Sequence, residues 1–291
     1  MRCAFLASLT VVGFLTTAAM LKAAPQQTPA LTSAAPQSPM ADFWMSGPPV
    51  QGGLVIARAL KSTRHVFLNG EALQLAPDGL FLLGFDRDAP VQASVVFVLA
   101  DGSRIARNIS VAAGDWHIEN VAAHMTGGAK SSAEFEARRG AELERINAAR
   151  ALIHQSNGWR QAFIRPVAGR ISGLFGAQRV YNGMPGSYHS GMDIAAANGT
   201  AFVAPADGVV ILAAADAFTL EGHLLMIDHG MGLNSAFLHA SELLVKEGDV
   251  VQQGQIIGRV GATGRASGPH LHWGMKWNNA RVDPKLLLPA L

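Results

Sequence analysis

Between Trp159 and Leu291 the apolar runs are short, and nearly every junction between them carries a glycine. The runs include Arg170–Gly176, Thr200–Pro205, Gly208–Ala213, Leu224–Asp228, Asn234–Leu238, Gln255–Val260 and His270–Trp277. Short apolar runs bounded by turn formers read as strands, because a helix needs a longer periodic stretch to nucleate and to bury a face. The pattern predicts an all-β domain over residues 159–291, with connecting loops free to carry function.

A second strand-like region precedes it, over residues 42–121. Gly53–Ala57, Leu80–Leu83, Ser94–Leu99 and Ile109–Val111 are separated by Asn69-Gly70, Pro77-Asp78-Gly79 and Asp101-Gly102. Asn-Gly and Asp-Gly between such runs are hairpin signals, since both residue pairs tolerate positive φ. A small antiparallel β domain, a sandwich, is expected. His65, His117 and His124 are isolated there, and positioning or binding is the default role of the region. Residues 122–158 read as a linker with one helix, opened by Ser131 and Glu134 at capping-box spacing. Leu143, Ile146 and Ile153 give it a thin apolar stripe over a charged remainder, so it needs one packing partner and its charged residues are expected on a solvated face. His154 falls near its C-terminus. The fold class is therefore mainly β, with one connecting helix.

Arg2 precedes an apolar run from Cys3 to Leu21 that ends at Lys22. A positive start and an apolar core read as an export signal over residues 1–24, cleaved or retained as an inner-membrane anchor. Residues 25–41, rich in Ala, Pro, Gln, Ser and Thr, read as a flexible tether. Both readings place the folded part outside the cytoplasm, in the periplasm or cell envelope. The net charge of +2 over 291 residues, without a long Lys/Arg cluster, argues against a nucleic-acid partner. Cys3 is the single cysteine, so disulfides and thiolate metal sites are excluded and any metal must be held by His, Asp or Glu.

Three stretches of the C-terminal region carry such residues close together: His189-Ser190-Gly191-Met192-Asp193, Phe237-Leu238-His239 and Pro269-His270-Leu271-His272-Trp273. Two imidazoles and a carboxylate suffice for a zinc ion with one coordination position left open, and the remaining imidazoles are then available to move protons. His270 and His272 are two apart within a strand-like run and so share a face. His189 and Asp193 are four apart, which would align them on a helix, although a loop running into a strand converges two ligands equally well. His229, in Asp228-His229-Gly230, reads as a packing or turn residue, and His223 has no evident partner.

The stretches Ser172–Gly176, His189–Ala195, Val203–Val210, Asp228–Gly230 and His270–Trp273 together resemble the lysostaphin/LytM family of zinc peptidoglycan endopeptidases, over about Trp159 to Leu291. The resemblance implies His189, Asp193 and His272 as zinc ligands, and His270 and His239 as catalytic imidazoles. It implies one zinc per chain and, as substrate, peptide cross-links or stem peptides of peptidoglycan. Where the family often has Tyr-x-His-Leu, this chain has Phe237-Leu238-His239-Ala240, a change expected to alter substrate contact. The competing expectation is a non-catalytic protein of the same fold that binds wall peptides or activates a cell-wall amidase. The complete ligand set argues against it.

Overall fold

The structure is a computed structural model that describes residues 43–123 and 132–289. The expected export segment and tether, Ser131 and His124 lie outside the described residues. The first region contains β1 (Leu54–Arg58), β2 (Thr63–Leu68), β3 (Glu71–Leu73), β4 (Leu80–Gly84), β5 (Gln92–Leu99), β6 (Arg104–Ser110) and β7 (Ile118–Val121). β1 pairs with β4, and β3-β2-β5-β6 form a second antiparallel sheet. The Asn69-Gly70 turn joins β2 to β3 with φ of 51° and 92°, the two positive values that a two-residue hairpin of this hand requires. Phe43, Phe81 and Phe97 fill the space between the sheets, with the Phe43 and Phe97 rings edge-on at 5.3 Å. β7 leaves this sandwich. It pairs in parallel with a strand of the C-terminal region, Ile118 opposite Gln178.

The helix α1 (Ala133–Ala151) follows, capped by the Ser132 hydroxyl, which accepts from the Phe135 N–H at 3.0 Å. The stripe read from sequence is corrected here. Ile146 and Ala149 are buried, but Leu143 is 42% exposed, and Ile153 is 69% exposed and lies beyond the helix. Part of the charged face is the docking face. Glu142 is 5% exposed and accepts from the Thr219 backbone N–H and hydroxyl at 2.6 and 2.7 Å, while Arg139 grips Glu221 with both terminal nitrogens at 2.6 and 2.8 Å. A helix too poor in apolar residues to dock by burial alone is held by charge-assisted hydrogen bonds.

The C-terminal region comprises β8 (Arg170–Gly173), β9 (Gln178–Tyr181), β10 (Met184–Pro185), β11 (Met192–Ala195), β12 (Ala201–Val203), β13 (Gly208–Ala213), β14 (His223–Asp228) and β15 (Leu233–Ala240). It continues with β16 (Glu242–Leu243), β17 (Val250–Val251), β18 (Ile256–Arg259), β19 (His270–Trp277) and β20 (Ala280–Val282). The main sheet runs β17-β13-β14-β15-β19-β11-β8, with β20 beside β19. Leu271, Trp273, Met275 and Trp277 alternate into the core, which leaves His270, His272, Gly274 and Lys276 on the opposite face of β19. The two β regions share packing: Ala76 and Leu82 of the first belong to the core cluster of Trp273 and Trp277. The buried Arg87 donates to the Gly176 carbonyl at 3.0 Å and to the Gln178 side chain at 2.9 Å.

Candidate metal centre

β11 and β19 are antiparallel neighbours in a register that sets Asp193 directly opposite His272. Cross-strand partners project to the same face with Cβ atoms about 5 Å apart, so this pairing alone brings a carboxylate to an imidazole. Asp193 Oδ1 lies 2.9 Å from His272 Nδ1. His189 arrives from the loop before β11, with Nε2 3.1 Å from Asp193 Oδ1 and 3.1 Å from His272 Nδ1. A loop entering a strand, not a helical turn, makes the His189–Asp193 spacing work.

Three donor atoms at mutual separations near 3 Å fit one face of a zinc tetrahedron, in which ligands 2.0–2.2 Å from the ion stand about 3.3 Å from one another. The donor chemistry agrees: two imidazoles and a carboxylate, with no thiolate. His189 Nδ1 donates to the Leu174 carbonyl at 2.9 Å, which fixes its tautomer and leaves the Nε2 lone pair turned toward the other two donors. Burial by itself raises the Asp193 carboxyl, but the hydrogen bonds and charges of His189 and His272 hold it far below the usual carboxylate range. Burial pulls His189 down, and the Asp193 hydrogen bond and charge more than reverse it, for a net rise. Burial wins at His272, which is pushed down. Asp193 is therefore ionised and His272 favours its neutral form, as metal binding requires.

Two further imidazoles stand beside this set. His270 Nδ1 donates to the Gly268 carbonyl at 2.8 Å, and His239 Nδ1 donates to the Thr263 carbonyl at 2.8 Å. A carbonyl can only accept, so each neutral ring carries its proton on Nδ1 and keeps Nε2 as a free base. Their ring centroids are 4.9 Å apart, and His270 Nε2 is 3.8 Å from Asp193 Oδ1. Burial lowers His239, outweighing its hydrogen bond to Thr263. His239 also sits at φ 64°, a left-handed conformation that a non-glycine residue adopts at a cost and that the surrounding sheet must enforce.

The structure thus brings together all five residues singled out from sequence. The others are dispersed. His229 is fully buried, donating from Nδ1 to the Asp207 carbonyl at 2.8 Å and facing the Ser235 hydroxyl with Nε2 at 2.8 Å. His223 contacts the Ala214 carbonyl at 3.2 Å, and His154 lies 3.4 Å from Asp228. Phe237 is corrected: it is 0% exposed and stacks obliquely on Phe202 at 5.5 Å, so the missing phenol is a core substitution, not a substrate contact.

The motifs do not reveal what supports the site, which includes Thr263, Gly173 and Gly191. Thr263 orients His239 through a backbone carbonyl, which leaves no side-chain signature. Gly173 and Gly191 are present because a Cβ at the first would press on the Asp193 carboxylate and the His189 ring, and at the second on His272 Nε2. Their signal was the glycine in each motif, Ser172-Gly173 and Ser190-Gly191.

Residues 187–284 match the model of peptidase family M23. Over 95 residues the chain is 38% identical to the peptidoglycan DD-endopeptidase ShyB of Vibrio cholerae, covering 33% of this chain and 22% of that protein. The match therefore spans only about a fifth of the length of that relative. The chain is 33% identical to the structure of LytU, covering 43% of this chain and 86% of that one, with a TM-score of 0.36. A Pseudomonas aeruginosa structure assigned by name to peptidase M23 aligns with a TM-score of 0.65 at 29% identity, covering 84% of this chain and 97% of that one. That likeness extends beyond the site-bearing sheet into the N-terminal strands. Residues 187–284 thus form a domain of peptidase family M23, the lysostaphin/LytM type.

Proposed function

We propose that the chain is an exported zinc metallo-endopeptidase that hydrolyses peptide cross-links or stem peptides of bacterial peptidoglycan. The carrying observation is the convergence of His189 Nε2, Asp193 Oδ1 and His272 Nδ1 on one point, with the His239 and His270 rings, each bonded through Nδ1 to a carbonyl, alongside. The similarity to ShyB supports the substrate class. The Arg2-led apolar run supports export, since the cell wall lies outside the inner membrane.

His189, Asp193 and His272 would hold the ion, with Leu174 orienting His189. Zinc supplies Lewis acidity toward a scissile carbonyl and toward water. His270 takes the proton of the attacking water on Nε2, its ring held by Gly268 so that the lone pair needs no reorientation. His239, protonated in the cycle, donates to the developing oxyanion or the leaving nitrogen. Its burial makes it give up that proton readily.

The test measures zinc content and released peptide termini on the purified chain from Pro25 onward, with cross-linked peptidoglycan and with Asp193→Ala as control. One equivalent of zinc and new termini, both lost in the variant, are expected. Zinc without cleavage of any wall peptide sinks the catalytic reading and leaves a binding protein of the same fold.

A further inference from the structure

The face of β19 that carries His272 continues through Gly274 to Lys276, with two residues per step. At about 3.3 Å per residue, Lys276 lies about 13 Å along the strand from His272. Between them Gly274 leaves the floor low, since even an added Cβ would meet nothing closer than 3.6 Å. A cavity of about 200 Å³ spans this stretch between α1 and the sheet, with His272, Arg150, Lys276, Arg281 and the paired Arg139 and Glu221 in its wall. That volume suits a side-chain-sized group and falls short of a whole ligand site, which needs about 300 Å³ or more.

The far end carries more cations than anions. Lys276 and Arg281 are cross-strand partners on one face, and Arg150 reaches them from the last turn of α1. Among the described residues neither Lys276 nor Arg150 has an ion pair, and the buried Nε of Arg150 has no hydrogen-bond partner. The Arg281 guanidinium donates to the Tyr188 hydroxyl, at 3.2 Å. The nearby carboxylates are all engaged. Asp86 accepts from the Arg281 backbone N–H and the Tyr188 hydroxyl, Asp228 accepts from the backbone N–H groups of His154 and Gly230, and Glu221 is held by Arg139. Burial lowers the Lys276 ammonium, and the charges of Arg150 and Arg281 lower it further. The charges of Glu221 on Arg150 and of Asp86 on Lys276 offset the three cations only in part, since both carboxylates are engaged elsewhere, and a further carboxylate placed among the cations removes the remaining cost.

We propose that Arg150, Lys276 and Arg281 form a subsite for a carboxylate of the substrate peptide, about 13 Å along β19 from the metal centre. The inference rests on the peptidase reading above and adds a specificity element to it. An acidic residue three to four residue lengths from the scissile bond, in extended conformation, reaches it.

The experiment uses the zinc-loaded full chain and one cross-linked peptide in two forms, with its carboxylates free and with them amidated. The free acid is expected to be favoured ~10- to 100-fold in kcat/KM, the range of one or two charge-assisted hydrogen bonds. Lys276→Met and Arg150→Met are expected to collapse that ratio toward unity and to raise the Tm, because each removes an unpaired charge. No preference in the wild type, or equal loss on both peptides with the ratio intact, overturns the proposal. If neither peptide is cleaved, calorimetry with the inert Asp193→Ala chain separates the two readings. Tighter binding of the free acid, abolished by adding Lys276→Met, keeps the subsite while hydrolysis falls. Inorganic phosphate that raises the Tm of the wild type but not of Lys276→Met, without discrimination between the peptides, overturns it in favour of a free-anion site.

Discussion

Two histidine sites of the C-terminal region behave oppositely. At His229 both ring nitrogens meet protein partners, Asp207 through its carbonyl and Ser235 through its hydroxyl, so the site is closed. At His189, Asp193 and His272 three donor atoms face one another around a common point, with hydrogen positions that cannot satisfy all three contacts at once. A structural histidine finishes its hydrogen bonds within the chain, and a metal-binding one leaves a lone pair aimed at where the ion will be. The contrast can be broken at either cluster.

The largest effect is expected at the open one. His189→Ala should lose zinc, read by elemental analysis, together with hydrolysis, whereas His229→Ala should retain one equivalent of zinc. His270→Ala should keep zinc and lose ~10²- to 10⁴-fold in kcat, the span of general acid–base catalysis. Unchanged hydrolysis with zinc bound would remove it as the base. The closed cluster answers in stability instead. Burial lowers His229 to about 4, below the ordinary value for a histidine. The unfolded chain therefore binds that proton more readily than the folded one. The stabilisation is complete above about pH 6.5 and is lost as pH falls toward about 4, a change on the order of 3 kcal/mol. Denaturant unfolding across that window checks it, and His229→Ala should flatten the profile while costing about 2 kcal/mol at neutral pH through the orphaned Asp207 and Ser235 groups. The smallest effect is expected for Gly173→Ala, where a Cβ crowding Asp193 and His189 should weaken zinc binding by ~10-fold with the fold retained.

Much of the fold was legible because its signals are local. β13 and β19 have the same ends in the structure as in the sequence reading, and Asn69-Gly70 makes the turn its chemistry demands. The short strands β9, β10, β16, β17 and β20 were not legible. Each is two to four residues long and owes its pairing to a neighbour, not to its own alternation. α1 failed in a different way. Its charged residues read as a solvated face, but Glu142 and Arg139 are bonded to Thr219 and Glu221, residues distant in the chain.

The sequence by itself determined which residues could do chemistry. A lone Cys3 left His, Asp and Glu as the only ligands, and the His-x-His alternation committed His270 and His272 to one face. The tertiary structure alone decided their arrangement. Only the antiparallel register sets Asp193 against His272, only the Thr263 and Gly268 carbonyls select the tautomers of His239 and His270, and only the docking of α1 carries Arg150 to Lys276 and Arg281. The physical reason is range. Residue chemistry and alternation are set within a few positions, whereas register, hydrogen-bond partners and burial depend on segments that meet only after the chain has folded.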